Sequence, residues 1–196
     1  MRTSTLSPPS ATPASPRKNI GLLGVGIFVI SESMFFLGLF LAFFYLRATA
    51  RSWPPVGVHP PSILPALFNT CVVLCSMVCV WLGNRAMASG DRHGMLRGFV
   101  AASALGVVFM AVQIAEFADL ALMAQGSSYG SSFTFLLLFH VLRVFVGVTL
   151  MVVVVVRGLM GQFSAQRRLM VQGTAFYWFF ITSVWLVVFT VLYLVR

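Results

Sequence analysis

Glu32, Glu116, His140 and Arg143 lie well inside apolar runs of this 196-residue chain, which has only four acidic residues in all. An acid, an imidazole or a guanidinium is costly to place in hydrocarbon. Each is therefore a candidate for function or for a paired internal contact. Glu32 follows Ile20 by twelve residues, about 18 Å along a helix starting there and near the middle of a bilayer. Its setting, Ile30-Ser31-Glu32-Ser33-Met34-Phe35-Phe36, is apolar apart from two serine hydroxyls. A carboxyl group there is a candidate proton acceptor, open to attack by a hydrophobic carbodiimide. It could equally do no more than bond a neighbouring helix, and spacing alone leaves both readings standing.

Glu116 and His140 flank a short loop. If the spans on either side are antiparallel neighbours, reflection about Ser128 sets Glu116 level with His140, and Gln113 level with Arg143. Carboxylate, imidazole, amide and guanidinium would then form one polar seam. Interhelical bonding, worth about 0.6 kcal/mol per contact on average, accounts for such a seam more simply than a proton path. Arg143 lies ten residues beyond Phe133, about 15 Å along its helix, so it needs an acidic partner or a lipid phosphate. Glu32 matches its depth.

Redox cofactors find little to hold them. A haem between helices needs axial ligands within the spans, and only His140 qualifies, since His59 and His93 sit in loops. Cys71, Cys75 and Cys79 line one stripe of a helix, but no His lies within ten residues of them and soft metals want several convergent ligands. The stripe reads as small residues that let helices approach closely. No metal or other cofactor is expected in the chain. Tyr177 and Trp178, in the aromatic run from Phe176 to Phe180, suit a membrane interface without further function.

The elements that position these groups follow from composition. Charged residues are 9% and hydrophobic ones 59%, against about 25% and 45–50% in soluble domains. That excludes a soluble enzyme and a nucleic-acid-binding module, despite a net charge of +9. Five stretches can each cross about 30 Å of hydrocarbon as a helix: Ile20–Leu46, Ile63–Met87, Leu96–Ala124, Phe133–Val156 and Thr174–Val195. They are apolar on every face, unlike the alternating strands of a membrane barrel. The expectation is an all-α bundle of five transmembrane helices over 20–196, behind a disordered Ser/Thr/Pro-rich tail over 1–19. With the N-terminus inside, inner segments carry nine basic residues and outer ones three, which predicts a cytoplasmic N-terminus and an outer C-terminus. No internal repeat of the transporter kind is visible.

Several motifs then resemble subunit III of cytochrome c oxidase. They run in order from Ile30-Ser31-Glu32-Ser33-Met34-Phe35-Phe36 through Trp53-Pro54-Pro55-Val56-Gly57-Val58-His59-Pro60, Leu64-Pro65, Asn69-Thr70 and Gly90-Asp91-Arg92. Gln113 to Glu116, Tyr129-Gly130-Ser131, Phe139-His140 with Gly147, Tyr177-Trp178 and Val184-Trp185 continue the order. The resemblance implies a non-catalytic subunit in the plasma (inner) membrane of a bacterium. Its partners would be subunits I and II, which would carry the haem and copper. It would also hold phospholipid and support proton uptake, with Glu32 as the buried intramembrane acid. The family commonly has seven spans, and this chain matches the short five-helix form. Arg143 stands where the family has a second His, and Phe179-Phe180-Ile181-Thr182 replaces His-Phe-x-Asp. The role carried over is thus limited to Glu32, Glu116 and His140. An accessory subunit of a quinol oxidase or nitric oxide reductase is the alternative reading, and a small independent transporter or channel is the reading from another class.

Overall fold

The structure is a computed structural model that describes residues 17–55, 62–123, 127–164 and 167–194. Residues 1–16 of the expected tail and residues 56–61 of the Trp-Pro-Pro loop lie outside them. Five helices account for nearly everything described: α1 Arg17–Thr49, α2 Ile63–Ala88, α3 Arg92–Met123, α4 Ser128–Leu159 and α5 Leu169–Phe189. The last passes directly into a π turn at Thr190–Leu194. No strand occurs among the described residues. All five helices are long and apolar enough to cross a membrane.

The helices outrun the apolar stretches, because nothing in the flanking polar residues stops them. Where stops exist they are chemical. Gly90 ends α2 at φ +84°, a left-handed conformation that a side chain would oppose. The next residue, Asp91, starts α3 by accepting from the Gly94 amide at 2.9 Å. The Ser127 hydroxyl caps α4 by accepting from the Gly130 amide at 3.0 Å. Unpaired donors at a helix start favour such oxygens. At the other end of α4, the Arg92 side chain donates to the carbonyls of Gly158 (2.7 Å) and Leu159. A cation there satisfies two terminal acceptors and complements the helix dipole.

α5 is the most enclosed span, with 56% of its apolar window buried, and α1 the least, with 11%. α5 packs on α1, α2 and α4, while α2 and α3 form the tightest pair. Glycine permits both arrangements. A Cβ on Gly98 would lie 2.7 Å from the Cys79 carbonyl oxygen and from the Gly83 Cα. A Cβ on Gly147 would lie 2.8 Å from the fully buried Trp178 ring. The close approach of α2 thus runs through Gly83 and the Cys79 backbone, and not through Cys71 or Cys75. Cys71 and Cys75 are exposed and Cys79 half-buried, because Asn69, Thr70, Val73, Ser76 and Val80 take the inward face.

Two indoles lock α5 to α2. Trp178 Nε1 donates to Ser76 Oγ and Trp185 Nε1 to Thr70 Oγ1, both at 3.0 Å. Thr70→Val is expected to leave a buried N–H unpaired, at about 1–3 kcal/mol. Thermal unfolding in detergent should show this loss, and adding Trp185→Phe should return part of it. Equal stability of Thr70→Val and the wild type would show that the bond contributes nothing.

Candidate functional site

Glu32 lies fifteen residues from the start of α1, and Arg143 fifteen from the start of α4. Each is therefore about 22 Å along its helix, near the centre. The two helices pack together, and Arg143 Nε donates to Glu32 Oε2 in an ion pair. Their side chains are 13% and 18% exposed. The guanidinium also lies over Phe35, Phe36 and Phe139, with its carbon 4.5, 5.0 and 5.9 Å from the ring centroids. Such faces carry partial negative charge. Tyr177 Oη, from α5, donates to the Arg143 carbonyl at 3.3 Å. Arg143 thus finds an acidic partner, within an aromatic enclosure.

Gln113 and Glu116 belong to a second network, nearer the other ends of α3 and α5. Asn69 Nδ2 donates to the Phe109 carbonyl (3.2 Å) and to Gln113 Oε1 (3.3 Å). Gln113 Nε2 donates to Glu116 Oε2 at 3.4 Å, and Tyr193 Oη donates to Glu116 Oε1 at 2.7 Å. The π turn carries that phenol to the carboxyl group, and such turns are frequent at functional positions.

The single seam expected across α3 and α4 is therefore not what forms. Gln113 does not meet Arg143, and His140 bonds neither Glu116 nor any other described group. His140 is fully buried, and neither ring nitrogen has a hydrogen-bond partner. Its ring packs at 5.2–6.3 Å, centroid to centroid, against Trp185, Phe109 and Phe36. Thr182, where the resemblance leads one to expect Asp, is also buried with its hydroxyl unpartnered. Asn69 and Tyr193 are the site residues that sequence reasoning did not single out. Among the described residues, no three His, Cys, Asp or Glu side chains gather to hold a metal.

The family model described as cytochrome c oxidase subunit III matches residues 15–195. The chain belongs to the cytochrome c oxidase subunit III family. A relative named cytochrome c oxidase subunit 3 from Thermostichus vulcanus is 32% identical over 174 residues, covering 88% of this chain and 86% of that one. Relatives of the same name from Equus caballus and Ovis aries are 34% identical over 176 residues, covering 87% of this chain and 67% of theirs. Subunit III of a terminal oxidase is thus the part this chain plays, as a multi-pass membrane protein within a haem-copper oxidase complex. For a subunit III, both polar networks read as ties between spans. One joins α1 to α4, and the other joins α2, α3 and the end of α5.

Proposed function

We propose that this subunit III does no redox chemistry itself, steadies the catalytic subunit of a bacterial plasma-membrane cytochrome c oxidase, and supports proton uptake through Glu32. The haem and copper then belong to subunits I and II, the N-terminus faces the cytoplasm and the C-terminus the outside. The observation that carries the reading is the Glu32–Arg143 pair, mid-bilayer on the helix least covered by its own chain. The pair keeps a carboxyl group deep in the membrane, on a helix that a partner subunit could cover. The outward side chains of α1, among them Ile30, Met34 and Leu37, are exposed apolar surface open to a partner helix or lipid.

Replacing Glu32 alone would strand Arg143, so the uptake role is best tested with Glu32→Gln and Arg143→Gln together. The two amides keep a neutral bond between α1 and α4 and remove the titratable group. Assembly and oxygen reduction should persist, with slower proton uptake and faster inactivation during turnover at alkaline pH. An assembled oxidase with unchanged uptake and lifetime would make Glu32 purely structural.

A groove of about 430 Å³ between α1, α4 and α5 supports a role in holding phospholipid. Gly21, Val25, Phe28 and Gly173 line its apolar length, and Arg157 stands in its wall. A guanidinium suits a phosphate oxygen pair, and the apolar length suits an acyl chain. Arg157→Gln is expected to lower the phospholipid that co-purifies per oxidase. Unchanged phosphorus content would contradict the lipid role of this groove.

A further inference from the structure

All five helices meet around His140 of α4. Its ring packs against Phe36 of α1, Phe109 of α3 and Trp185 of α5. α2 joins through two of the same neighbours: the Phe109 carbonyl accepts from Asn69 Nδ2, and the Trp185 indole donates to Thr70 Oγ1. Each imidazole nitrogen is either a donor or an acceptor, so both call for a partner. At this junction His140 is fully buried and neither nitrogen has one among the described residues.

Two other side chains share that condition. Thr182 stands one turn before Trp185 on α5 and is also buried. Its neighbours Ser183 and Thr190 donate to carbonyls one turn back, at 2.9 and 2.8 Å. The Thr182 hydroxyl makes no such bond, which leaves its donor and acceptor capacity for something outside its own helix. Asn69 is fully buried with its amide nitrogen engaged, while its Oδ1 has no partner. Of five such buried atoms among the described residues, four thus belong to three side chains around the Phe109–Trp185 ring pair. The fifth, Asn84 Oδ1, is fifteen residues farther along α2. Nearly all buried polar atoms in folded proteins are hydrogen-bonded, so a cluster of this kind calls for a common ligand.

The chemistry of the three groups selects that ligand. Arg143 opposes a cation, since its guanidinium lies over the same Phe36 ring that His140 touches. The Asn69 carbonyl oxygen opposes an anion. Water suits a mixed set of donors and acceptors, because a buried water molecule gives and accepts about three hydrogen bonds.

We propose that His140, Thr182 and Asn69 hold bound water at the centre of the bundle. This water extends the Asn69–Gln113–Glu116 network to within one aromatic ring of Arg143. The site stands apart from the uptake role of Glu32, and either can fail without the other.

The test is X-ray radiolysis of the assembled oxidase followed by peptide mass spectrometry. Irradiation converts bound water to hydroxyl radical in place, and the radical oxidises the side chains beside it where bulk solvent does not reach. Phe109 and Phe99 are a matched pair, both on α3 and both fully buried. Phe109 and Trp185 should be oxidised several-fold faster than Phe99, and His140→Leu should abolish the excess. Thr182→Val, which keeps the side-chain shape, should remove most of it and serves alone if His140→Leu fails to assemble. Equal rates at Phe109, Trp185 and Phe99 in the unmutated subunit overturn the proposal. So does an excess that Thr182→Val leaves intact.

Discussion

Arg143→Leu is expected to loosen α1 and to reduce the amount of subunit III that stays with the oxidase through purification. The change removes one half of an ion pair, together with the cation that lies over three phenylalanine rings, and leaves Glu32 without its guanidinium. Breaking a buried pair from one side costs about 3–5 kcal/mol, most of it the penalty of the charge left behind. α1 has little else to hold it, since only 11% of its apolar window is buried. Retention of the subunit across a detergent series measures the effect. Adding Glu32→Leu to Arg143→Leu should restore much of the lost retention, because two apolar side chains leave no charge uncompensated. Equal retention of Arg143→Leu and the wild type would mean that the pair does not hold α1.

Gly98→Leu is expected to prevent α2 and α3 from packing. The added Cβ would meet backbone on α2, at 2.7 Å from both the Cys79 oxygen and the Gly83 Cα, and backbone cannot swing aside as a side chain can. Overpacking of a core usually costs about 1–3 kcal/mol and more where the neighbours cannot yield. Here the whole helix pair must separate, and with it the Asn69–Gln113 bond that spans it. The measurable result is loss of accumulated subunit in membranes, with Gly98→Ala intermediate. Normal accumulation of Gly98→Leu would show that the two helices have slack at this crossing.

These expectations rest on contacts that were legible in the sequence to different degrees. The five spans were plain, because long apolar runs separated by Ser89-Gly90-Asp91 and by the segment before Ser128 leave few other folds. Depth was legible too. Counting 1.5 Å per residue put Glu32 and Arg143 at one level, and the structure joins them. Azimuth was not legible. Helices that are apolar all round carry no stripe to show which face turns inward. Reflection about a loop therefore set Glu116 level with His140 without showing that Glu116 turns to Tyr193 and His140 to Trp185. Cys71 and Cys75 turn outward for the same reason, since the inward face of α2 is the one bearing Asn69 and Ser76, and of the cysteines only Cys79 meets α3 closely. Asn69, an amide alone in an apolar run, was a usable signal for the second network. Tyr193 was not, because a tyrosine near a span's end reads as an interface anchor until the π turn aims it at Glu116.

The reading of this chain as a cofactor-free subunit beside a catalytic partner is tested most directly by purifying it, tagged, from its native membranes under mild detergent. The optical spectrum of the product and the identity of its companions are then recorded. The account predicts co-purification with the larger subunits of a haem-copper oxidase and a haem spectrum that stays with those subunits when this one is stripped away. A tagged chain that comes off the membrane without haem-bearing companions would contradict it, as would one that keeps the haem for itself.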